Sequence, residues 1–173
     1  MEYLNREDEE PQRRRWYVLH VKPRTEKKTF EYLERHRLWR YLPLYRKIVR
    51  RQRRKVVSVL PIFPGYVFSR LNADERIVAL KSNFIVRTIA VPDPREMIHQ
   101  LRQIRKAERS GEEIRTVEKF TEGELVRIKS GHFRGMEGRI KHDNGGLTIV
   151  LNIDILGQAV ALHISPSECE KIQ

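Results

Sequence analysis

The chain has 173 residues, 39% of them hydrophobic, and 35 Lys and Arg against 23 Asp and Glu give a net charge of +12. That length suits one ordinary domain or two small ones, and the modest apolar share favours two. The positive balance points to a polyanionic partner, most often nucleic acid, while the single cysteine, Cys169, excludes an internal disulfide framework and a cysteine-based zinc finger.

No apolar run approaches the roughly 18 residues of a membrane span, and the charged N-terminus has no apolar signal segment. The expectation is a cytoplasmic, monomeric protein with no membrane partner. Charge is unevenly spread: residues 1–117 hold 28 positive and 15 negative side chains, whereas 118–173 hold 7 and 8. The basic excess therefore belongs to the N-terminal part.

Residues 1–14 are polar and aperiodic, which predicts a disordered tail. A first strand is expected over 16–21, with Trp16, Val18 and His20 on one face and Tyr17, Leu19 and Val21 on the other. Pro23 ends it. Thr25 is placed to cap a helix running to about Arg37, with Glu26 at the positive end of its dipole and Phe30 and Leu33 as core contacts. Residues 46–55 then carry seven positive charges and no negative one, between strand-like runs at 42–45 and 56–60. Because burying such a run is prohibitive, it reads as the tip of a protruding hairpin.

Directly after the hairpin comes Pro61-Ile62-Phe63-Pro64-Gly65-Tyr66-Val67-Phe68. Proline cannot donate to a ladder, so a strand starts only at about Gly65, and alternation then puts Tyr66 and Phe68 on one face and Val67 and Ser69 on the other. Asn72 to Glu75 resembles a capping box for a short helix with Ile77 and Leu80 on its apolar side, and 84–91 is the next strand. Asp93-Pro94-Arg95-Glu96 is a stronger helix start, followed by Met97, Ile98, Leu101 and Ile104 at helical spacing and by Gly111 as a stop. Residues 110–119 read as a linker. Beyond it, strand-like runs at 125–129, 138–142, 147–153, 159–164 and 169–172 alternate with glycine-rich turns, the pattern of a small five-stranded barrel closed to avoid free edges. The division expected is a domain over 15–109, the linker, and a barrel over 120–173.

Trp16-Tyr17, Tyr41-Leu42-Pro43, Phe63-Pro64-Gly65-Tyr66-Val67-Phe68 and the glycine-patterned stretch from Gly123 to Gly138 together resemble the NusG family of transcription elongation factors. The likeness covers nearly everything from Trp16 onward. Lys47-Ile48-Val49-Arg50 and Ile98-His99-Gln100-Leu101 look closer to the specialised RfaH type than to housekeeping members. The resemblance implies an α+β fold: an N-terminal α/β sandwich of NGN type, mainly antiparallel, followed by a KOW barrel. It also implies that the N-terminal domain binds the clamp helices of the largest RNA polymerase subunit and suppresses pausing or termination.

Carried onto matching positions, the polymerase-facing apolar pocket comprises Phe63, Tyr66, Phe68, Ile85, Ile98 and Leu101, with His20 where the family has an aromatic. Lys22, Arg24, Lys27 and Lys28, together with Arg50, Arg51, Arg53, Arg54 and Lys55, are then expected to face upstream duplex or non-template DNA through phosphate contacts. The resemblance gives the KOW barrel a protein partner, Rho or the ribosome, with Phe133, Ile155 and Leu156 as its contacts; Leu156 stands where NusG carries an exposed aromatic. RfaH-type proteins also fold this region as a helical hairpin, but β-branched residues and glycine turns in 147–164 favour the barrel here.

No chemistry of catalysis is legible. Gly131, Gly135 and Gly138 are followed by no lysine-serine or lysine-threonine pair, the six histidines show no close-spaced ligand pair, and no nucleophile elbow occurs. The expectation is a non-enzyme without metal or cofactor. The competing reading is a ribosomal-type KOW protein that binds RNA, for which the barrel itself should be basic rather than slightly acidic.

Overall fold

A computed structural model describes residues 13–51, 54–111, 114–118, 123–143 and 146–172. In chain order the strands and helices are β1 (Arg15–Val21), α1 (Glu26–Arg35), β2 (Trp39–Tyr41), β3 (Leu44–Arg51), β4 (Arg54–Pro61), β5 (Tyr66–Leu71), α2 (Ala73–Leu80) and β6 (Ile85–Ala90). They continue with α3 (Pro94–Ser110), β7 (Arg115–Glu118), β8 (Leu125–Ile128), β9 (Glu137–Asp143), β10 (Gly146–Ile153), β11 (Gln158–Ile164) and β12 (Cys169–Lys171). The fold is α+β, an antiparallel sheet with helices followed by a β-rich part.

Two compact units divide the chain: one is the chain up to Leu42 with Pro64–Pro92, the other Pro43–Phe63 with Asp93–Gln173. The hairpin and α3 group with the C-terminal strands. Between the two expected domains, Ser110 ends α3, and β7 pairs antiparallel with β11 from Gln158↔Glu118 to Ala161↔Arg115.

In the first unit the sheet order is β2-β5-β1-β6, with β1 central and antiparallel to both neighbours. Tyr17, Val67, Ser69 and Arg40 share one face, and α1 and α2 cover it: Arg76 of α2 lies over the Tyr17 ring at 5.8 Å, and Arg40 pairs with Glu34 of α1 and lies 4.9 Å from the Phe30 ring. Leu33 is fully buried beneath, whereas Phe30 is only half-buried under that guanidinium. Two expectations need amending. The Thr25 hydroxyl makes no cap; it donates to Lys22 O at 2.7 Å, closing the turn before α1 instead. Ile77 and Leu80 do not form the buried side of α2, being 54% and 38% exposed, and small Ala79 is the residue that packs inward.

The capping box on α2 is complete. Glu75 N donates to Asn72 Oδ1 at 2.8 Å, and Asn72 N donates back to Glu75 Oε2 at 2.9 Å. Arg14 adds a guanidinium fork, its Nε 3.0 and 2.9 Å from the two Glu75 oxygens and its Nη2 2.6 Å from one, which anchors the chain just ahead of β1.

In the second unit β3 and β4 form a two-stranded hairpin, and the remaining strands run β12-β8-β9-β10-β11-β7. The five expected antiparallel strands, β8 to β12, are all present, and β7 pairs as a sixth with β11. Gly138 is required where β9 meets β10: a Cβ there would lie 2.6 Å from Val150 O and 2.9 Å from Ile149 Cγ1.

Helix α3 packs on β10. Asp93 caps it, accepting from Arg95 N at 2.9 Å, and Gly111 ends it in the left-handed region at φ 76°. Met97, Leu101, Ile104 and Ala107 form its buried face together with an unexpected polar member, Gln100. Gln100 is kept by bonds that replace its hydration: its Nε2 donates to Asp154 Oδ2 at 2.5 Å and to Glu96 Oε1 at 2.8 Å, and its Oε1 accepts from Asp154 N at 3.1 Å. Gln103 Oε1 accepts from Glu137 N at 2.6 Å.

The Arg14 hydrogen bonds hold the Glu75 carboxyl below its ordinary value, with burial opposing them. A depressed carboxylate stabilises fully above its unfolded value near ~4.3 and loses that contribution as pH falls through the lower folded value. Glu75→Gln, which keeps an acceptor for the box, is expected to lower stability by roughly 0.2–1 kcal/mol at pH 7, Arg14 being more than half exposed. Urea unfolding should show the gap to wild type closing in acid; an equal gap at both pH values would mean that the charge of the pair contributes nothing.

Candidate functional site

The face of the first sheet opposite α1 and α2 is built from rings. Pairing of Trp16 and Trp39 with Arg70, of Val18 and Tyr41 with Phe68, and of His20 with Tyr66 sets these residues on one side by alternation. Three ring pairs result. Trp16 meets Trp39 edge-on at 4.6 Å between centroids, Tyr41 meets Phe68 at 6.3 Å, and His20 meets Tyr66 at 5.3 Å. Arg87 and Ile89 continue the face along β6 opposite His20 and Val18, whereas a register shift between His20 and Val21 pairs Ile85 with Val21, a residue of the other face.

Gly65 sets where this face begins. Its φ of +84° lies in the left-handed region, and a Cβ there would meet His20 Cδ2 only at an ordinary 3.8 Å, so backbone conformation rather than crowding selects glycine. Its N–H donates to Glu26 Oε1 at 2.7 Å, and its carbonyl accepts from Val21 N at 2.8 Å. Glu26 is buried at the first position of α1, where the helix dipole favours its charge. One carboxylate thus joins α1 to the turn that starts β5.

The predicted pocket residues divide between the units: His20, Tyr66, Phe68 and Ile85 belong to the first, and Phe63, Ile98 and Leu101 to the second. Their exposure also divides them. Phe63, Phe68 and Leu101 are buried, so the expectation that Phe68 presents a ring beside Tyr66 is not met in this structure, while His20, Tyr66, Ile85 and Ile98 keep some surface. Trp16, Trp39 and Tyr41, absent from the predicted set, complete the ring face. Trp39 is 44% exposed, and the signal that could have found it is its position two residues before Tyr41, on the same side of a strand.

The expected nucleic-acid contacts fall in two places. Lys22, Arg24, Lys27 and Lys28 are exposed around the N-terminus of α1, Arg24 at φ 63° in the turn closed by Thr25. Arg53 lies outside the described residues. Of the others, Arg50 is opposite Lys55 and Arg51 opposite Arg54 in the register of β3 and β4.

Among the expected barrel contacts, Phe133 is buried in the turn between β8 and β9, which leaves Ile155 and Leu156 with surface. They lie in a single 3-10 turn, Asp154–Leu156, ended by Gly157 in the left-handed region. Burial chiefly, and Glu168 next, push the Cys169 thiol up from its ordinary value, and Lys129 opposes them. Among the described residues no cluster of three His, Cys, Asp or Glu could hold a metal, and no helix is long and apolar enough to cross a membrane.

Residues 14–109, more than half of the chain, match the family model described as transcription termination factor NusG. The chain belongs to the NusG family. Its members are transcription factors that bind RNA polymerase, and this chain is a transcription factor of the NusG type. No curated protein sequence matches it. A solved structure of NusG from Thermotoga maritima, reported for its domain interaction, is 24% identical with a TM-score of 0.54, over 92% of this chain and 98% of that one. That likeness extends the fold agreement past the family match into the NGN-plus-KOW arrangement.

Glu26→Ala would leave the Gly65 N–H without its acceptor, at a cost of roughly 1–3 kcal/mol. Gly65→Ala would force a side chain into the left-handed region, at about 1–2 kcal/mol. Thermal unfolding should place both variants below wild type; an unshifted melting temperature for Glu26→Ala would show that the turn holds without the carboxylate.

Proposed function

We propose that this NusG-family protein is an elongation and antitermination factor that grips the clamp helices of the largest RNA polymerase subunit with the ring face of its four-stranded sheet. The three ring pairs carry the reading. Aromatic side chains offer large contact area at small entropic cost, and a helical tip docks against such a surface through apolar anchors. His20, Tyr66 and Trp39 supply accessible area on that face, and Phe68, buried beside Tyr41, supports it from within.

The basic residues around the start of α1 and at the hairpin tip hold nearby DNA, upstream duplex or non-template strand, by its phosphates. Such contacts fix position without reading sequence. The near-neutral C-terminal strands bind a protein, Rho or the ribosome, through Ile155 and Leu156. A ribosomal-type RNA-binding reading would need its cations on those strands, and residues 118–173 carry 7 positive against 8 negative side chains.

The decisive measurement is capture of core RNA polymerase by the full chain. Tyr66→Ala combined with Trp39→Ala, both at partly exposed positions, is expected to weaken capture at least tenfold while circular dichroism stays native. Undiminished capture by a folded double variant would remove the ring face from the interface.

A further inference from the structure

The face of α3 turned away from its buried residues carries charge of one sign. Arg102, Arg105, Lys106 and Arg109 recur at i, i+3, i+4 and i+7, all exposed, and Arg95 falls on the same stripe two turns earlier. At about 1.5 Å per residue the stripe from Arg95 to Arg109 is roughly 21 Å long. The four later side chains line a recess of about 370 Å³. None of the rings of the first sheet contributes to it.

The carboxylates of α3 are engaged elsewhere. Glu96 accepts from Gln100, and Glu108 accepts from Leu44 N at 3.0 Å. Among the described residues no carboxylate pairs with Arg102, Arg105, Lys106 or Arg109. The stripe continues beyond the helix: Lys106 Nζ stands 3.9 Å from the Cβ position of Gly135, in a turn whose neighbours Lys129 and Arg134 are exposed. Gln100 and Gln103, bonded to Asp154 and to Glu137 N, fix the helix on the strands so that this face is held outward rather than free to roll.

Four cations on one helix face with no carboxylate partner among the described residues leave their charge for an external anion. We infer that the α3 stripe is a phosphate-backbone surface for duplex nucleic acid, separate from the residues at α1 and in the hairpin. Arginine supplies three of the four guanidinium or ammonium groups at the recess, the type suited to forked phosphate contacts. Duplex is favoured over single strand because the stripe has no aromatic side chain on which bases could stack, while a duplex presents about one charge per 1.7 Å of axis. The inference takes from the proposed function only that the chain works beside nucleic acid.

Its test is anisotropy of a fluorescent 20-base-pair DNA duplex titrated with the full chain over a range of salt. Replacing Arg102, Arg105, Lys106 and Arg109 together by Gln is expected to weaken binding at least tenfold at 0.1 M salt. It should also flatten the slope of log affinity against log salt by up to about 3.6, near 0.9 for each phosphate no longer neutralised. A variant with Arg102→Lys, Arg105→Lys and Arg109→Lys should keep the slope, and single-stranded DNA of equal length should bind wild type more weakly than duplex. Unchanged duplex binding by a natively folded glutamine variant overturns the inference, as does single-strand binding equal to or tighter than duplex. Loss confined to phosphatidylserine-containing vesicles would reassign the stripe to a lipid surface. Polymerase capture by the same variant should stay at the wild-type level, which separates this result from any failure of the ring face; impaired capture would make the stripe a protein-binding surface instead.

Discussion

A single hydrogen bond, from Gly65 N–H to the buried Glu26 carboxylate, decides how the first sheet is assembled. The chain leaves β4 at Pro61, paired with Leu44, and passes Pro64, which has no N–H to donate, so the register of β5 against β1 has to be set at the first residue after it able to pair. Gly65 is that residue, reciprocally held by Val21 N and Glu26. Once it is fixed, His20 faces Tyr66, Val18 faces Phe68 and Trp16 faces Arg70, and these rings fall on the side that α1 and α2 do not cover. A slip of one residue would send Tyr66 and Phe68 under the helices and bring Val67 and Ser69 out. The same carboxylate sits at the N-terminus of α1, so the exposed cations around that terminus and the ring face are positioned by one group.

Charge follows a comparable division within the second unit. Its C-terminal strands hold buried residues on both faces over 148–151 and 159–162, with cations and acids nearly balanced across 118–173, while the cations in excess stand on two other elements. One is α3, whose period separates the face that packs from the face that is charged. The other is the hairpin, where period 2 and a short ladder leave little room for such a separation. That difference explains why α3 is long and well capped and why the hairpin sets β-branched residues at paired positions such as Ile48↔Val57 and Val49↔Val56.

What could be read from residues alone was the part governed by local chemistry. Asp93-Pro94 and Gly111 bounded α3, Asn72 and Glu75 formed their box, and glycine turns separated the five C-terminal strands, because each depends on backbone groups within a few residues. The misses were decided by distant partners. Arg-Thr-Val-Glu at 115–118 has no strand pattern of its own and becomes β7 only because β11 offers an edge. Ile77 and Leu80 have helical spacing, yet the small side chain of Ala79 allows closer approach and takes the buried position. Thr25 had two acceptable uses for its hydroxyl, and the tight turn at Arg24 chose the carbonyl of Lys22 over the helix N-terminus. Gln100 is polar in a row of apolar residues, and its burial rests on Glu96 one turn back and on Asp154, more than fifty residues away, which no local pattern announces. Among the site residues, alternation placed Tyr66 and Phe68 on one face correctly, but which of them kept any surface depended on packing that alternation does not specify.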